Sequence, residues 1–215
     1  MAHNPFTPAF DRLPQTLPIF PLSGAILLPG TQLPLNIFEP RYLNMVFDAL
    51  GTARLIGMVQ PVEAGDTLAE VGCAGQITAF NETDDGRLLL VLQGVCRFRL
   101  GAEIPTTRGY RCVVPEWSSF ALDYNEASLP AAARQRLLTT LERYTAAQQM
   151  EIERKHLDKM SDAALVDGLV ANLPISDADK QELLEIGPLA ERAEQLMGVM
   201  MRTTYPYGSG LQAVH

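Results

Sequence analysis

The feature that most restricts the fold is an abrupt change of character near residue 120. Before it, Gly and Pro break the chain into short apolar runs, the punctuation of a β-rich domain. After it, the chain turns Ala-rich, with apolar residues at helical spacing. A chain of 215 residues with this division predicts an α+β protein. The β part is expected over 14–118 and the helical part over 126–205, joined around 118–128. Residues 1–13 and 206–215 are expected to be flexible tails.

In the first part, strands are expected over 16–20, 32–38, 54–60, 75–80, 87–92 and 110–114. Asp85-Gly86 marks the reversal of a hairpin. Gly94 reads as a bulge or bend, because the strand pattern resumes over 95–100. Pro40 suits the first turn of a helix, where a missing N–H costs nothing. Leu43, Val46, Phe47 and Leu50 then form one stripe, and Gly51 suits its end. At least six short strands with glycine bends suggest a small closed or half-closed barrel, since closure hides strand edges.

In the second part, Ser128 is a candidate cap with Pro130 inside the first turn. The apolar face through Leu137, Leu138, Leu141 and Tyr144 could extend to Leu157, a rod of about 40 Å at 1.5 Å per residue. Ser161 opens a second helix, stopped before Pro174. Ser176 with Asp179 opens a third, ending at Gly187, and Pro188 starts a fourth. Met197, Met200 and Met201 read as core filling.

The formal net charge is −8, from 17 basic and 25 acidic residues, which argues against a phosphate backbone as the main partner. The hydrophobic fraction of 47% is that of a globular protein, not a disordered one. No apolar run is long enough to span a membrane. The start of the chain lacks a basic segment followed by an apolar one, so a cytoplasmic location is expected. The three cysteines, Cys73, Cys96 and Cys112, lack the close spacing of a zinc clamp and are expected to be reduced core residues.

Nothing in the chain matches the sequence patterns of a P-loop, a dinucleotide fingerprint, a zinc-protease motif or a nucleophile elbow. His156 lies in a charged helical face, and Asp84 and Asp85 belong to turn chemistry. No catalytic residue, metal ligand or cofactor is therefore assigned. Arg97 and Arg99 alternate with Cys96, Phe98 and Leu100, which predicts a solvated strand face, with an anion site as the alternative. The connection over 23–29 is unusually apolar, carrying Ala25, Ile26, Leu27 and Leu28. It is either a lid folded onto the barrel or an exposed patch for a partner.

Several stretches together resemble a known family. They are Leu17-Pro18-Ile19-Phe20-Pro21-Leu22, Leu28-Pro29-Gly30 and Leu33-Pro34-Leu35-Asn36-Ile37-Phe38-Glu39-Pro40-Arg41-Tyr42. Ile56-Gly57-Met58-Val59, Val71-Gly72-Cys73-Ala74-Gly75 and Gly94-Val95-Cys96-Arg97-Phe98 add to them. Over about 14–205 the chain resembles the N-terminal, substrate-binding domain of the ATP-dependent Lon protease. The resemblance implies a PUA-like six-stranded pseudo-barrel with one helix, followed by a bundle of about four helices. It also implies recognition of unfolded or damaged polypeptides, with a protease or chaperone receiving them, and no catalytic residue in this domain.

On that basis Ile26, Leu27, Leu28, Phe38 and Tyr42 are candidate peptide-binding residues. An extended client could also pair with a barrel edge strand. Glu39, Pro40, Arg41, Gly94 and Arg97 are expected to be structural, with Glu39 at a helix start and Arg41 pinning that helix to the barrel. The alternatives are a nucleic-acid or small-ligand module on a PUA-like barrel, and an oligomer-forming protein that dimerises through Leu and Met stripes. An enzyme with an unrecognised site ranks last.

Overall fold

A computed structural model describes residues 6–62, 67–125 and 127–204. Six strands form one sheet: β1 (Leu17–Pro21), β2 (Gln32–Ile37), β3 (Leu55–Val59), β4 (Val71–Glu82), β5 (Leu88–Ile104) and β6 (Arg111–Glu116). The order is β2-β5-β4-β3-β1-β6, and β5 also pairs β6. The second half of β5 thus closes the barrel, while its first half carries β2 as an edge strand. All pairings are antiparallel except β1 with β3.

The strand pattern that the sequence carries past Gly94 is one continuous strand, β5. Gly75 faces Gly94 while Ala74 faces Cys96, so Val95 is one extra residue in the ladder. The expected bulge is present and bends the strand without ending it. The hairpin turn at Asp85-Gly86 needs a left-handed residue, and Gly86 supplies it at φ +81. Pro34 lies in β2, where among the described residues no second strand pairs with its outer side. Gly94 N–H donates to the Thr31 carbonyl at 2.9 Å, a register that turns Pro34's backbone outward, where no ladder bond is lost.

Helix α1 (Pro40–Leu50) begins with Pro40 in its first turn and is capped by Gly51. It buries Tyr42, Met45, Val46 and Ala49. This face is displaced from the expected stripe, and Phe47 is exposed.

After the 3-10 segment Ser118–Tyr124 come α2 (Ala131–Ala147), α3 (Arg154–Leu157), α4 (Asp162–Asn172), α5 (Asp177–Glu185) and α6 (Leu189–Thr204). The expected rod to Leu157 stops at Ala147. Gln149 adopts φ +55, and Met150 N–H donates back to Thr145 O at 2.9 Å, which closes the helix end. Ser128 does not cap α2; Pro130 occupies the cap position. The entering chain is held instead by Asp162, whose Oδ2 accepts from Leu129 N–H at 2.7 Å. Ser161 and Ser176 cap α4 and α5 through their hydroxyl oxygens, as expected.

Both halves contribute to one core. Leu17, Ile19, Ile56 and Phe98 fill the barrel, while Leu137, Tyr144, Leu165, Leu196 and Met200 fill the helical part. Met197 and Met200 are buried, but Met201 is exposed, because it falls off the buried stripe of α6.

Part of the segment expected as a tail, around Pro8 to Leu13, makes contacts with the body of the protein. Phe10 meets Tyr124 edge to face, and the Tyr124 hydroxyl donates to Pro8 O at 2.9 Å. Residues 1–5 and 205–215 lie outside the described residues.

Candidate functional site

The apolar connection between β1 and β2 lies over two facing glycines. A Cβ on Gly75 would come within 2.6 Å of Leu27 Cδ2, and one on Gly94 would collide with the Leu28 carbonyl. The absent side chains make a trough, and Leu27 and Leu28 fill it. Thr31 ties the loop by accepting from Leu28 N–H at 3.1 Å and donating to Leu28 O at 2.8 Å. Ile26, Leu27 and Leu28 are therefore buried, and the exposed patch they could have formed is replaced by a plug on the barrel. Burying apolar side chains of this size is worth about 2 kcal/mol each, which favours the plug.

Tyr42 is buried against Phe20 and covered by the Arg41 guanidinium, 4.6 Å from its ring centre. Phe38, by contrast, is 62% exposed. It is the one member of the five peptide-binding candidates that presents a large apolar surface. Glu39 stands at the N-cap of α1 without a side-chain capping bond. Its carboxylate accepts from Arg41 at 3.0 Å. Arg41 thus forms a local pair on the surface, and among the described residues it makes no hydrogen bond to the barrel.

Arg97 departs from the expected solvated face. Its side chain is 1% exposed, because the 3-10 segment and the end of α5 cover this part of β5. It forks onto Asp123 at 2.6 and 3.0 Å. It also donates to the carbonyls of Leu184, Ile186 and Gly187 at 3.0, 2.5 and 3.2 Å. One guanidinium therefore joins the barrel, the 3-10 segment and the end of α5. Only a planar, multi-donor cation can do this. Arg99, two residues on, faces solvent beside Glu70.

Next to this junction lies a cleft of about 880 Å³ between the barrel and the helices. Its apolar walls include Pro29, Val95, Leu122 and Leu189. Asp167 of α4 and Arg192 of α6 also line it, each with its side chain 4% exposed. Asp167 Oδ1 is 3.0 Å from Arg192 Nε, but the two are out of line, and neither atom makes a hydrogen bond. Arg192 spends other N–H groups on the carbonyls of Ile186 and Gly187. Among the described residues the Asp167 carboxylate has no partner beyond this contact with Arg192. Burial lifts its carboxyl to about 6, against the opposing pull of Arg192 and Arg97.

None of these residues except Arg97 emerged from sequence motifs, although two signals were present. Asp167 interrupts the apolar run Ala164-Leu165-Val166 and Leu169-Val170 of α4. Arg192 stands three residues after Leu189 and four before Leu196, inside the buried stripe of α6. A charge at an apolar position is the mark of a buried polar cluster. Cys73 and Cys96 are buried, and burial pushes both thiols up, so neither is poised as a nucleophile. Among the described residues, no group of acids, histidines and cysteines could hold a metal ion.

The architecture matches known proteins. Residues 16–202 match the family model of the ATP-dependent protease La (LON) substrate-binding domain. The chain belongs to this family. The Lon protease of Parabacteroides distasonis is 27% identical over 210 residues, which is 92% of this chain but 25% of that protein. Lon protease of Flavobacterium johnsoniae is 24% identical over 88% of the chain and 24% of its own length. This LON substrate-binding domain thus spans about a quarter of the curated relatives it matches.

A Lon N-terminal domain protein from Xanthomonas campestris superposes with a TM-score of 0.68 at 26% identity, over 85% of this chain and 97% of that one. The N-terminal domain of Lon protease from the Mycobacterium avium complex gives 0.65 at 17% identity, over 86% and 98%, a likeness of fold. The expected α+β architecture and the expected family are both borne out.

Proposed function

We propose that this LON substrate-binding domain captures unfolded or damaged polypeptides in the cleft between barrel and helices, without catalysing a reaction, and passes them to a protease or chaperone. The observation that carries the reading is the cleft itself, apolar-walled and large enough for several side chains, in a chain of a substrate-binding family. Phe38, exposed beside the start of α1, is a second apolar contact for such clients. A cytoplasmic setting fits the chain, in which no described helix is long and apolar enough to cross a membrane.

A nucleic-acid role has little to draw on. Net charge is −8, and the arginine best placed for a phosphate, Arg97, is committed to Asp123.

The test is fluorescence anisotropy of a reduced, permanently unfolded polypeptide titrated with the protein, against its native form. Selective binding of the unfolded form is expected. Equal binding of both forms, or none at high micromolar protein, overturns the reading.

A further inference from the structure

We infer that Asp167 and Arg192 read the main chain of an extended polypeptide lying in the cleft, with Asp167 accepting from a client N–H and Arg192 donating to a client carbonyl. The inference deepens the proposed function and rests on it. Three observations lead to it.

The first is the missing hydrogen bond. A carboxylate with its side chain 4% exposed normally collects several donors. Arg97 and Asp123, a few residues away in the same junction, satisfy each other and three carbonyls. Asp167 has only the out-of-line contact with Arg192. Asp167 lines the cleft, and with Oδ1 enclosed a donor arriving there would bind its other carboxylate oxygen.

The second is charge. The cluster Arg97, Asp123, Asp167 and Arg192 carries two positive and two negative groups. A cationic side chain seeking Asp167 meets two guanidiniums, and an anionic one seeking Arg192 meets two carboxylates. A neutral dipole meets neither penalty. The peptide group is such a dipole, with an N–H and a C=O for an acid and a base placed side by side.

The third is the lining. Pro29, Val95, Leu122 and Leu189 offer contact to apolar side chains but no directional group. Affinity would then come from the backbone, with loose demands on side chains, which is how extended peptides are held without a fixed sequence. A domain that must accept many unfolded chains requires that tolerance.

The experiment uses the labelled, permanently unfolded polypeptide as tracer. Two unlabelled decapeptides of alternating Leu and Ser compete with it, one of them N-methylated on every second backbone nitrogen. The native-backbone peptide should displace the tracer about tenfold better, the worth of a hydrogen bond to a charged group. Leu122→Arg, at a rim residue that is 61% exposed, should weaken both tracer and peptide by about tenfold without altering the melting temperature. Asp167→Leu/Arg192→Met removes both charges together, a replacement that buried pairs often tolerate. It should abolish the discrimination between the two peptides. If that double variant does not fold, Asp167→Asn makes the same comparison and should reduce the discrimination to about threefold.

A tracer that binds while both peptides compete equally overturns main-chain reading and leaves the proposed function standing. So does discrimination that survives in the folded double variant, or the unchanged binding of Leu122→Arg. A tracer that does not bind the wild-type protein overturns both.

Discussion

Gly94 of β5 and Leu28 of the β1–β2 connection meet backbone to backbone, with no room for a Cβ between them. Gly94 also donates its N–H to Thr31 O and accepts from Gly30 N–H, both at 2.9 Å. Replacing it with Ala drives a methyl group into a carbonyl that the loop cannot move without withdrawing Leu27 and Leu28 from the core. Gly94→Ala is expected to cost about 3 kcal/mol, at the upper end of overpacking effects, read as a lower urea midpoint. Gly86→Ala is the contrast. Nothing lies within 4 Å of a Cβ there, and only its φ of +81 is strained, so about 1 kcal/mol is expected.

The same plug separates the peptide-binding candidates by experiment. Leu27→Asp or Leu28→Asp buries an unpaired carboxylate beneath the loop and should unfold the protein or lower its stability by several kcal/mol. Phe38→Asp alters an exposed side chain and should leave stability within about 0.5 kcal/mol of wild type. Thermal melting checks both. A loss of client binding in Phe38→Asp then reports on contact, whereas a loss in the Leu27 or Leu28 variants reports on folding.

These residues also show how far the sequence was legible. The strand sequence, the hairpin at Asp85-Gly86 and the start of α1 at Pro40 follow from local chemistry: turn residues, period-two runs and a proline in a first turn. The fate of Leu27 and Leu28 does not. Their apolarity permits a lid or a patch, and what decides is that Gly75 and Gly94 face each other across two strands, a long-range register. Arg97 is similar. Alternation puts it on the outer face of β5, but only the docking of the 3-10 segment and the end of α5 turns that face into an interior. The break after Ala147 rests on one left-handed residue, Gln149, which no local pattern announces.

The Arg97 junction is expected to hold the two halves together. Arg97→Lys keeps the charge but not the fork to Asp123 or the reach to three carbonyls. Arg97→Ala leaves Asp123 buried without a counter-ion and should cost about 3–5 kcal/mol. Arg97→Lys should recover only part of this. Native-state hydrogen exchange provides the check. Amides at the end of α5 and the start of α6 should lose protection in both variants, while β3 and β4 keep theirs in the lysine variant.

Asp167 sets a pH dependence whose sign can be worked out. Burial raises its folded pKa to about 6 from an ordinary 3.8, so the folded state holds the proton more tightly than the unfolded state does. Its contribution to stability is therefore fully present below about pH 3.8 and lost as pH rises through about 6. The difference of about two units corresponds to about 3 kcal/mol. Glu103 and Glu116 are shifted the other way, held low by Arg111 and by the Ser118 and Ser119 hydroxyls, so the raw stability profile mixes both signs. Comparison with Asp167→Asn removes that mixture, because the surface carboxylates are common to both proteins. Urea denaturation at intervals between pH 4 and 7.5 should show the wild type gaining on Asp167→Asn as pH falls. A difference that stays flat across this range would mean that Asp167 finds its missing donor inside the folded chain.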